Sequence, residues 1–222
     1  SIQILRRDLR LGPTDERLMQ VILRGKDQME SLVRNFLLMA RANLGTRSET
    51  DVGRLVGDVI ESLTVGADWN PKVALRRELG QGLKVMGDPA EIRQVLWNLM
   101  INAIQAMPEG GTLTVTACPD GDNGEARAVR VAIGDTGNGI DPAHLEKIWE
   151  PFYTTKERGC GLGLAIVRRI VESHGGSVEV QSEVSRGTRF VVRLPRVAPG
   201  DSDGAVEAEH PDRQAAAAGA AR

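Results

Sequence analysis

The alternation of helical and strand-like segments between residues 50 and 195 constrains the fold of this chain most strongly. Apolar residues recur at helical spacing in residues 52–63, 91–107 and 162–174. Short alternating or β-branched runs, typical of strands, occupy residues 73–79, 83–85, 113–117, 129–133, 177–181 and 188–194. Helices that alternate with mostly antiparallel strands predict an α/β two-layer sandwich built on one mixed sheet.

The regions on either side of residues 50–195 have a different character. Residues 1–46 predict an unequal helical hairpin, broken at Gly12-Pro13, whose long amphipathic second helix needs a partner surface. We expect this hairpin to form a homodimer, although packing against the following domain is the simpler alternative. Residues 196–222 are rich in Ala, Gly, Asp and Glu without apolar periodicity, which predicts a disordered tail.

Composition excludes several classes of protein. The 222 residues carry a formal net charge of −2, which argues against a nucleic-acid-binding protein. No apolar run approaches the roughly 18–20 residues that span a bilayer, so we expect no membrane segment in this chain. The 2 cysteines, Cys118 and Cys160, are too few for a disulfide framework. A reducing, cytoplasmic location is the simpler interpretation.

One predicted helix carries a row of amide side chains. Gln94, Asn98 and Asn102 are spaced four residues apart and therefore share one face. A buried amide without a partner costs about 1–3 kcal/mol, so these amides must meet polar groups. They either cap neighbouring backbone, or Asn102 offers its carbonyl oxygen to Mg²⁺, which takes oxygen ligands.

Two glycine-rich segments are further candidates for ligand binding. The first follows a predicted strand and has the sequence Asp135-Thr-Gly137-Asn-Gly139-Ile140. It is either an ordinary turn or a loop that wraps around a flat ligand, in which Asp135 would accept a hydrogen bond from an exocyclic amine. Gly159-Cys-Gly161-Leu-Gly163-Leu164 precedes a helix, where free backbone N–H groups favour phosphate. Neither segment is a P-loop, because the required lysine is missing.

Together these segments resemble the bacterial sensor histidine kinases of two-component systems. The N box is matched by Asn98-Leu-Met-Ile-Asn102-Ala, and the G1 box by the Asp135 segment. The F box is matched by Pro151-Phe-Tyr153-Thr-Thr-Lys156, and the G2 box by the Gly159 segment. The resemblance implies the GHKL or Bergerat fold, an α/β sandwich that binds ATP and Mg²⁺ under a lid.

The resemblance also implies individual roles. Asp135 would recognise the adenine amine, Asn102 would ligate Mg²⁺, and Asn98 would lie beside the phosphates. The full set of expected nucleotide-binding residues is Asn98, Asn102, Asp135, Gly137, Gly139, Ile140, Tyr153, Lys156, Gly159, Gly161, Leu162, Gly163, Leu164 and Thr188. The expected partners are ATP or ADP, a response regulator receiver domain and a second copy of the chain.

The residue at position 98 separates the branches of this superfamily. The ATP-hydrolysing members that the sequence resembles carry a glutamate general base there, whereas an amide takes no proton at neutral pH. A histidine kinase is therefore favoured over a GHKL ATPase or a serine kinase. A docking module that does not use ATP is the remaining alternative.

None of the three histidines lies in the context of the family's phospho-acceptor. His144 lies between the G1 and F boxes, His174 ends a helix, and His210 lies in the tail, all expected at the surface or at helix ends. We expect the domains to be residues 1–46, a partial hairpin without the acceptor; residues 50–195, the catalytic domain; and residues 196–222, the tail. Such a chain would bind ATP but not phosphorylate itself.

Overall fold

The computed structural model describes residues 46–121, 126–156 and 159–197, together with Met19, Ile22 and Gly25. Those three isolated positions are helical, and the rest of the predicted hairpin through residue 45 lies outside the described residues. The tail beyond Val197 also lies outside them. Within the described part of the chain, no helix has the length and apolar character to cross a membrane.

Seven strands and three α-helices form the described domain. In chain order they are β1 (Ser48–Asp51), α1 (Val52–Thr64), β2 (Val73–Leu79), β3 (Lys84–Gly87), α2 (Pro89–Gln105), β4 (Gly111–Asp120), β5 (Ala128–Asp135), α3 (Gly163–Ser173), β6 (Ser177–Glu183) and β7 (Gly187–Pro195). Two short 3-10 turns, Pro142–His144 and Lys147–Trp149, lie between β5 and α3.

The main sheet has the strand order β2-β4-β5-β7-β6. Strands β2 and β4 are parallel, and the other neighbouring pairs are antiparallel. Along β5, Val129, Val131 and Ile133 point to the helical layer and are at most 1 % exposed. This face joins the apolar sides of α1, α2 and α3 in one hydrophobic core. The prediction of an α/β two-layer sandwich is confirmed.

A second, two-stranded sheet was not predicted. Strand β1 pairs antiparallel with β3, so the folded domain includes Ser48 and Glu49, ahead of the expected boundary at residue 50. Strand β3 also begins one residue later than predicted and extends to Gly87. At the other end, the backbone N–H of Val197 donates to Lys84 O at 2.9 Å, so pairing continues two residues past Pro195.

The start of α2 is fixed from two sides. The side chain of Asp88 accepts from the backbone N–H of Ala90 at 2.8 Å, and Pro89 fits the first turn, where no N–H partner is needed. The N–H of Asp88 donates to His174 Nε2 at 3.1 Å, while His174 Nδ1 contacts the carbonyl of Ile170 at 2.8 Å. A buried histidine thus joins the end of α3 to the start of α2.

Candidate functional site

A cleft of about 430 Å³ lies between α2, the end of β5 and the segment that leads into α3. Its size falls in the range of about 300–1,000 Å³ that is usual for small-ligand pockets. Most of the expected binding residues line it, namely Asn98, Asn102, Asp135, Gly139, Ile140, Tyr153, Lys156, Gly159, Gly161, Gly163, Leu164 and Thr188. The fold thus brings together motifs that are separated by up to ninety residues of chain.

Asp135 holds one carboxylate oxygen in a fixed position at the end of β5. Its Oδ1 accepts from the backbone N–H of Gly137 at 2.8 Å and from that of Thr188 at 3.3 Å. No described residue donates to Oδ2, which leaves that oxygen available for a ligand's N–H group. Burial raises the pKa of the Asp135 carboxyl, and the two backbone donors and the charge of Lys156 oppose that shift.

Both polar atoms of the Asn98 amide are hydrogen-bonded within the protein. Its Oδ1 accepts from Gln94 Nε2 at 3.0 Å, and its Nδ2 donates to Gly163 O at 3.2 Å. The second bond fixes α2 against the first residue of α3, at the point where the glycine-rich segment ends. Asn98 therefore shapes the cleft, and its amide has no basic group with which to take a proton from water.

Lys156 closes one end of the cleft by reaching across to α2. Its Nζ donates to Asn102 Oδ1 at 2.9 Å and to Gln105 Oε1 at 2.8 Å. The lysine keeps contact with solvent, but the protein around its ammonium group lowers the pKa below the usual value, and the charge of Asp135 opposes that shift. Two amide oxygens on one face of α2 thus converge on a single positive charge.

The donor set at this point fits Mg²⁺ only in part. Magnesium takes oxygen ligands at about 2.0–2.1 Å in an octahedron and usually keeps several waters. The Asn102 and Gln105 oxygens already hold a cationic nitrogen, which shows that they accept a positive charge. The described residues contain no group of three or more His, Cys, Asp or Glu side chains placed to hold a metal ion, so other ligands, such as phosphate oxygens, would have to complete the shell.

The start of α3 borders the cleft through Gly163 and Leu164. No side chain caps the helix at Leu162, so the first N–H groups of α3 have no side-chain partner at that position. Gly161 reaches this helix in the left-handed region at φ 65°, where a β-carbon would overlap the backbone of Phe152. Uncapped N–H groups at the positive end of a helix dipole favour an anionic ligand.

Two predicted residues do not line the cleft. Leu162 is 2 % exposed and belongs to the hydrophobic core, because the apolar side chain at the helix start turns inward. Gly137 acts behind the cleft, where its N–H holds Asp135 and its close neighbour is the carbonyl of Ala106. The structure thus gives Leu162 a packing role and Gly137 a role in positioning Asp135, and their expected contacts with nucleotide stay predictions.

Several cleft residues were missed or misplaced by the sequence analysis. His144, expected at the surface, lines the cleft, and its Nδ1 hydrogen-bonds with the hydroxyl of Tyr153. Gln105 was not singled out, although it lies three residues after Asn102 and thus near the same helix face. Phe190 supplies an aromatic wall, backed by Trp149 in an edge-to-face contact with ring centres 6.0 Å apart.

Residues 87–198 match one protein family, described as histidine kinase-, DNA gyrase B-, and HSP90-like ATPase. The match includes α2, β4, β5, α3, β6 and β7, and therefore every element that borders the cleft.

Curated relatives extend the similarity beyond this domain. Sensor histidine kinase ZraS of Escherichia coli O157:H7 is 34 % identical over 185 residues, which cover 83 % of this chain and 39 % of that protein. Sporulation kinase E of Bacillus subtilis (strain 168) is 35 % identical over 170 residues, which cover 76 % of this chain and 22 % of that protein. The chain therefore spans less than half the length of these curated relatives.

Solved structures of histidine kinases have the same fold. Full-length ShkA in complex with AMPPNP superposes with a TM-score of 0.68 at 28 % identity, over 86 % of this chain and 41 % of that one. The catalytic domain of histidine kinase ThkA superposes with a TM-score of 0.56 at 31 % identity, over 68 % of this chain and 95 % of that one.

Proposed function

We infer the function of this chain from its family, because it belongs to the histidine kinase-, DNA gyrase B- and HSP90-like ATPases and corresponds to the catalytic region of sensor histidine kinases. We propose that the cleft binds ATP with Mg²⁺ and presents the γ-phosphoryl group to a histidine on a dimerisation helix. An aspartate of a response regulator would then receive that group.

The placement of Asp135 is the observation that carries this proposal. A carboxylate with one oxygen tied to two backbone N–H groups and the other without a described donor is a preorganised acceptor. The exocyclic amine of adenine supplies the matching donor. Ile140 and Phe190 supply apolar walls for the ring, and Thr188 lies beside the carboxylate.

The phosphates would lie at the glycine-rich end of the cleft. Gly161 and Gly163 line the cleft at the start of α3, which has no side-chain cap, and the ammonium group of Lys156 adds a positive charge. Asn102 would hold Mg²⁺, with phosphate oxygens and waters as the remaining ligands. When bound, Mg²⁺ neutralises charge that develops on the transferring phosphoryl group.

The site is built for transfer to an external acceptor rather than for hydrolysis. Asn98 stands where a general base would be needed to activate water, and both ends of its amide are engaged. Catalysis then depends on positioning and charge neutralisation. Neither histidine of the described residues offers a free nucleophile, because His174 is buried and His144 is hydrogen-bonded to Tyr153.

A thermal unfolding measurement tests nucleotide binding directly. ATP with Mg²⁺ at about 100 times its dissociation constant should stabilise the chain by roughly 2.7 kcal/mol. The absence of any shift would overturn the proposal and favour a docking module that does not use ATP. Steady-state hydrolysis on the order of 1 s⁻¹ or faster would instead favour a GHKL ATPase.

Labelled ATP tests the expected lack of self-phosphorylation. We expect no acid-labile phosphate on this chain, since neither described histidine is an exposed acceptor, and acid-labile label on His144 would contradict this. We propose further that the chain works as a homodimer in the cytoplasm, where ATP is supplied. Sedimentation at micromolar concentration tests that association, and a monomer would count against it.

A further inference from the structure

Gln105 and Asn102 form an oxygen pair that is already engaged by a positive charge. Asn102 Oδ1 and Gln105 Oε1 lie 2.9 and 2.8 Å from the same Lys156 nitrogen. The two amides are three residues apart on α2, the spacing that places side chains on neighbouring positions of one helix face. Lys156 comes from a different part of the fold, 51 residues further along the chain than Gln105.

Lysine and a divalent cation would compete for this oxygen pair. Two positive charges within about 4 Å of each other repel strongly where water is partly excluded. If Asn102 ligates the metal of a bound nucleotide, the ammonium group of Lys156 cannot keep both of its hydrogen bonds. The terminal phosphates offer the displaced ammonium a nearby negative partner, since Lys156 and the glycine-rich segment line the same cleft.

We propose that Gln105 is a further cation-binding residue, and that Lys156 fills the Asn102–Gln105 oxygen pair until a nucleotide-bound divalent cation replaces it. This proposal rests on the proposed function, because the metal arrives with the nucleotide. The Lys156 ammonium group then moves from the amide oxygens to the phosphates. The position of this side chain therefore depends on the metal and not on the nucleotide alone.

Local packing makes the two side chains suitable for substitution. Gln105 and Lys156 are both exposed residues outside the hydrophobic core. Gln105→Met replaces the amide, and Lys156→Met the ammonium group, with an unbranched apolar side chain of similar length. Gln181→Met makes the same chemical change on an exposed position of β6, which points away from the helical layer, and serves as the matched control.

The experiment is a Mn²⁺ titration of the ADP-loaded chain, with free Mn²⁺ measured by electron paramagnetic resonance. Mn²⁺ accepts the same oxygen ligands as Mg²⁺. Gln105→Met should raise the half-saturating Mn²⁺ concentration by about tenfold, a usual cost of losing a group that supports a metal. Lys156→Met should lower that concentration, because the competing cation is gone. Gln181→Met should leave it unchanged.

The double variant separates competition for the oxygens from a general charge effect. If Lys156 competes with the cation for the Gln105 oxygen, Lys156→Met should change the half-saturating Mn²⁺ concentration less when Gln105 is already Met. Such non-additivity is expected between residues in contact. A purely long-range charge effect would stay the same in both backgrounds, and that result would overturn the exchange. So would a Gln105→Met titration that matches the unaltered chain.

Failure of this inference is distinguishable from failure of the proposed function. If the unaltered chain does not bind ADP, the proposed function fails and the exchange fails with it. If ADP binds normally and the two single variants do not shift Mn²⁺ binding in opposite directions, only the exchange is overturned.

Discussion

Replacing Asp135 with asparagine should separate nucleotide recognition from folding. The asparagine oxygen can still accept from the N–H groups of Gly137 and Thr188, so the loop keeps its two backbone bonds. The other carboxylate oxygen becomes an NH₂ group. That group faces the amine of adenine, and two donors then meet where a donor met an acceptor.

The expected loss follows from the bond that is removed. A hydrogen bond to a charged group contributes roughly 1.5–3 kcal/mol, which corresponds to about 10- to 150-fold in dissociation constant. Calorimetric titration of ATP into the unaltered chain and into Asp135→Asn measures this ratio. A ratio below about threefold would refute the assignment of Asp135 to the base, since it is smaller than any charged hydrogen bond of this kind.

Inosine triphosphate provides the matched control for this variant. Its base carries a carbonyl oxygen where adenine has the amine, so it should bind the unaltered chain poorly and Asp135→Asn better. If the variant loses affinity for ATP and for inosine triphosphate by the same factor, the substitution has damaged the pocket and not only changed one hydrogen bond.

The same substitution should stabilise the chain without nucleotide. Burial raises the pKa of Asp135 above 3.8 in the folded state, so the folded chain favours the protonated carboxyl. The stabilisation that this preference gives is complete below pH 3.8 and is lost as the pH rises through the folded pKa. Asparagine carries no charge and avoids that loss at neutral pH. Thermal unfolding at pH 7 should therefore give a higher midpoint for the variant, and the difference should shrink as the pH falls toward 4.

Two further substitutions test packing around the cleft. Gly161→Ala should weaken ATP binding strongly, because its β-carbon would overlap the backbone of Phe152. Gly82→Ala is the control: Gly82 has the same φ of 65° with open space around it, so this change should cost only about 1–2 kcal/mol of stability and leave ATP binding intact. Equal nucleotide affinity in the two variants would contradict this prediction. His174→Ala should lower the free energy of unfolding by about 2–4 kcal/mol, because it removes a buried ring and two hydrogen bonds. Arg168→Ala, exposed on the same helix, is its control, and an equally small change in both would refute the structural role of His174.

The periodicity of the sequence predicted the core elements well. Strand β2 occupies residues 73–79 as expected, and the boundaries of the three described α-helices differ from the prediction by no more than two residues. These segments bury one apolar face, and burial of such a face is what periodicity reports. Strand β1 has the sequence Ser-Glu-Thr-Asp, of which only Thr50 is buried, so it carries no such pattern. It forms because β3 offers it an edge, which is a tertiary effect.

The site was predictable where its residues lie in local motifs. Asn98 and Asn102 were singled out from their helical spacing and Asp135 from its place between a strand and two glycines, and all three line the cleft. Gln105 could have been found from the same helical spacing. The pairing of His144 with Tyr153 could not, because nothing in the local sequence shows that a 3-10 turn and the following segment bring these two side chains together.

The small sheet connects the N-terminal side of the domain to the helix that carries Asn102. Strand β1 is the first described strand, it pairs with β3 through residues 48–51, and β3 ends at Gly87, immediately before the Asp88 cap of α2. Only Asp88 separates the paired strand from the helix. A displacement of the chain just ahead of Ser48 would therefore act through this pairing on the first turn of α2, the helix whose later residues line the nucleotide cleft.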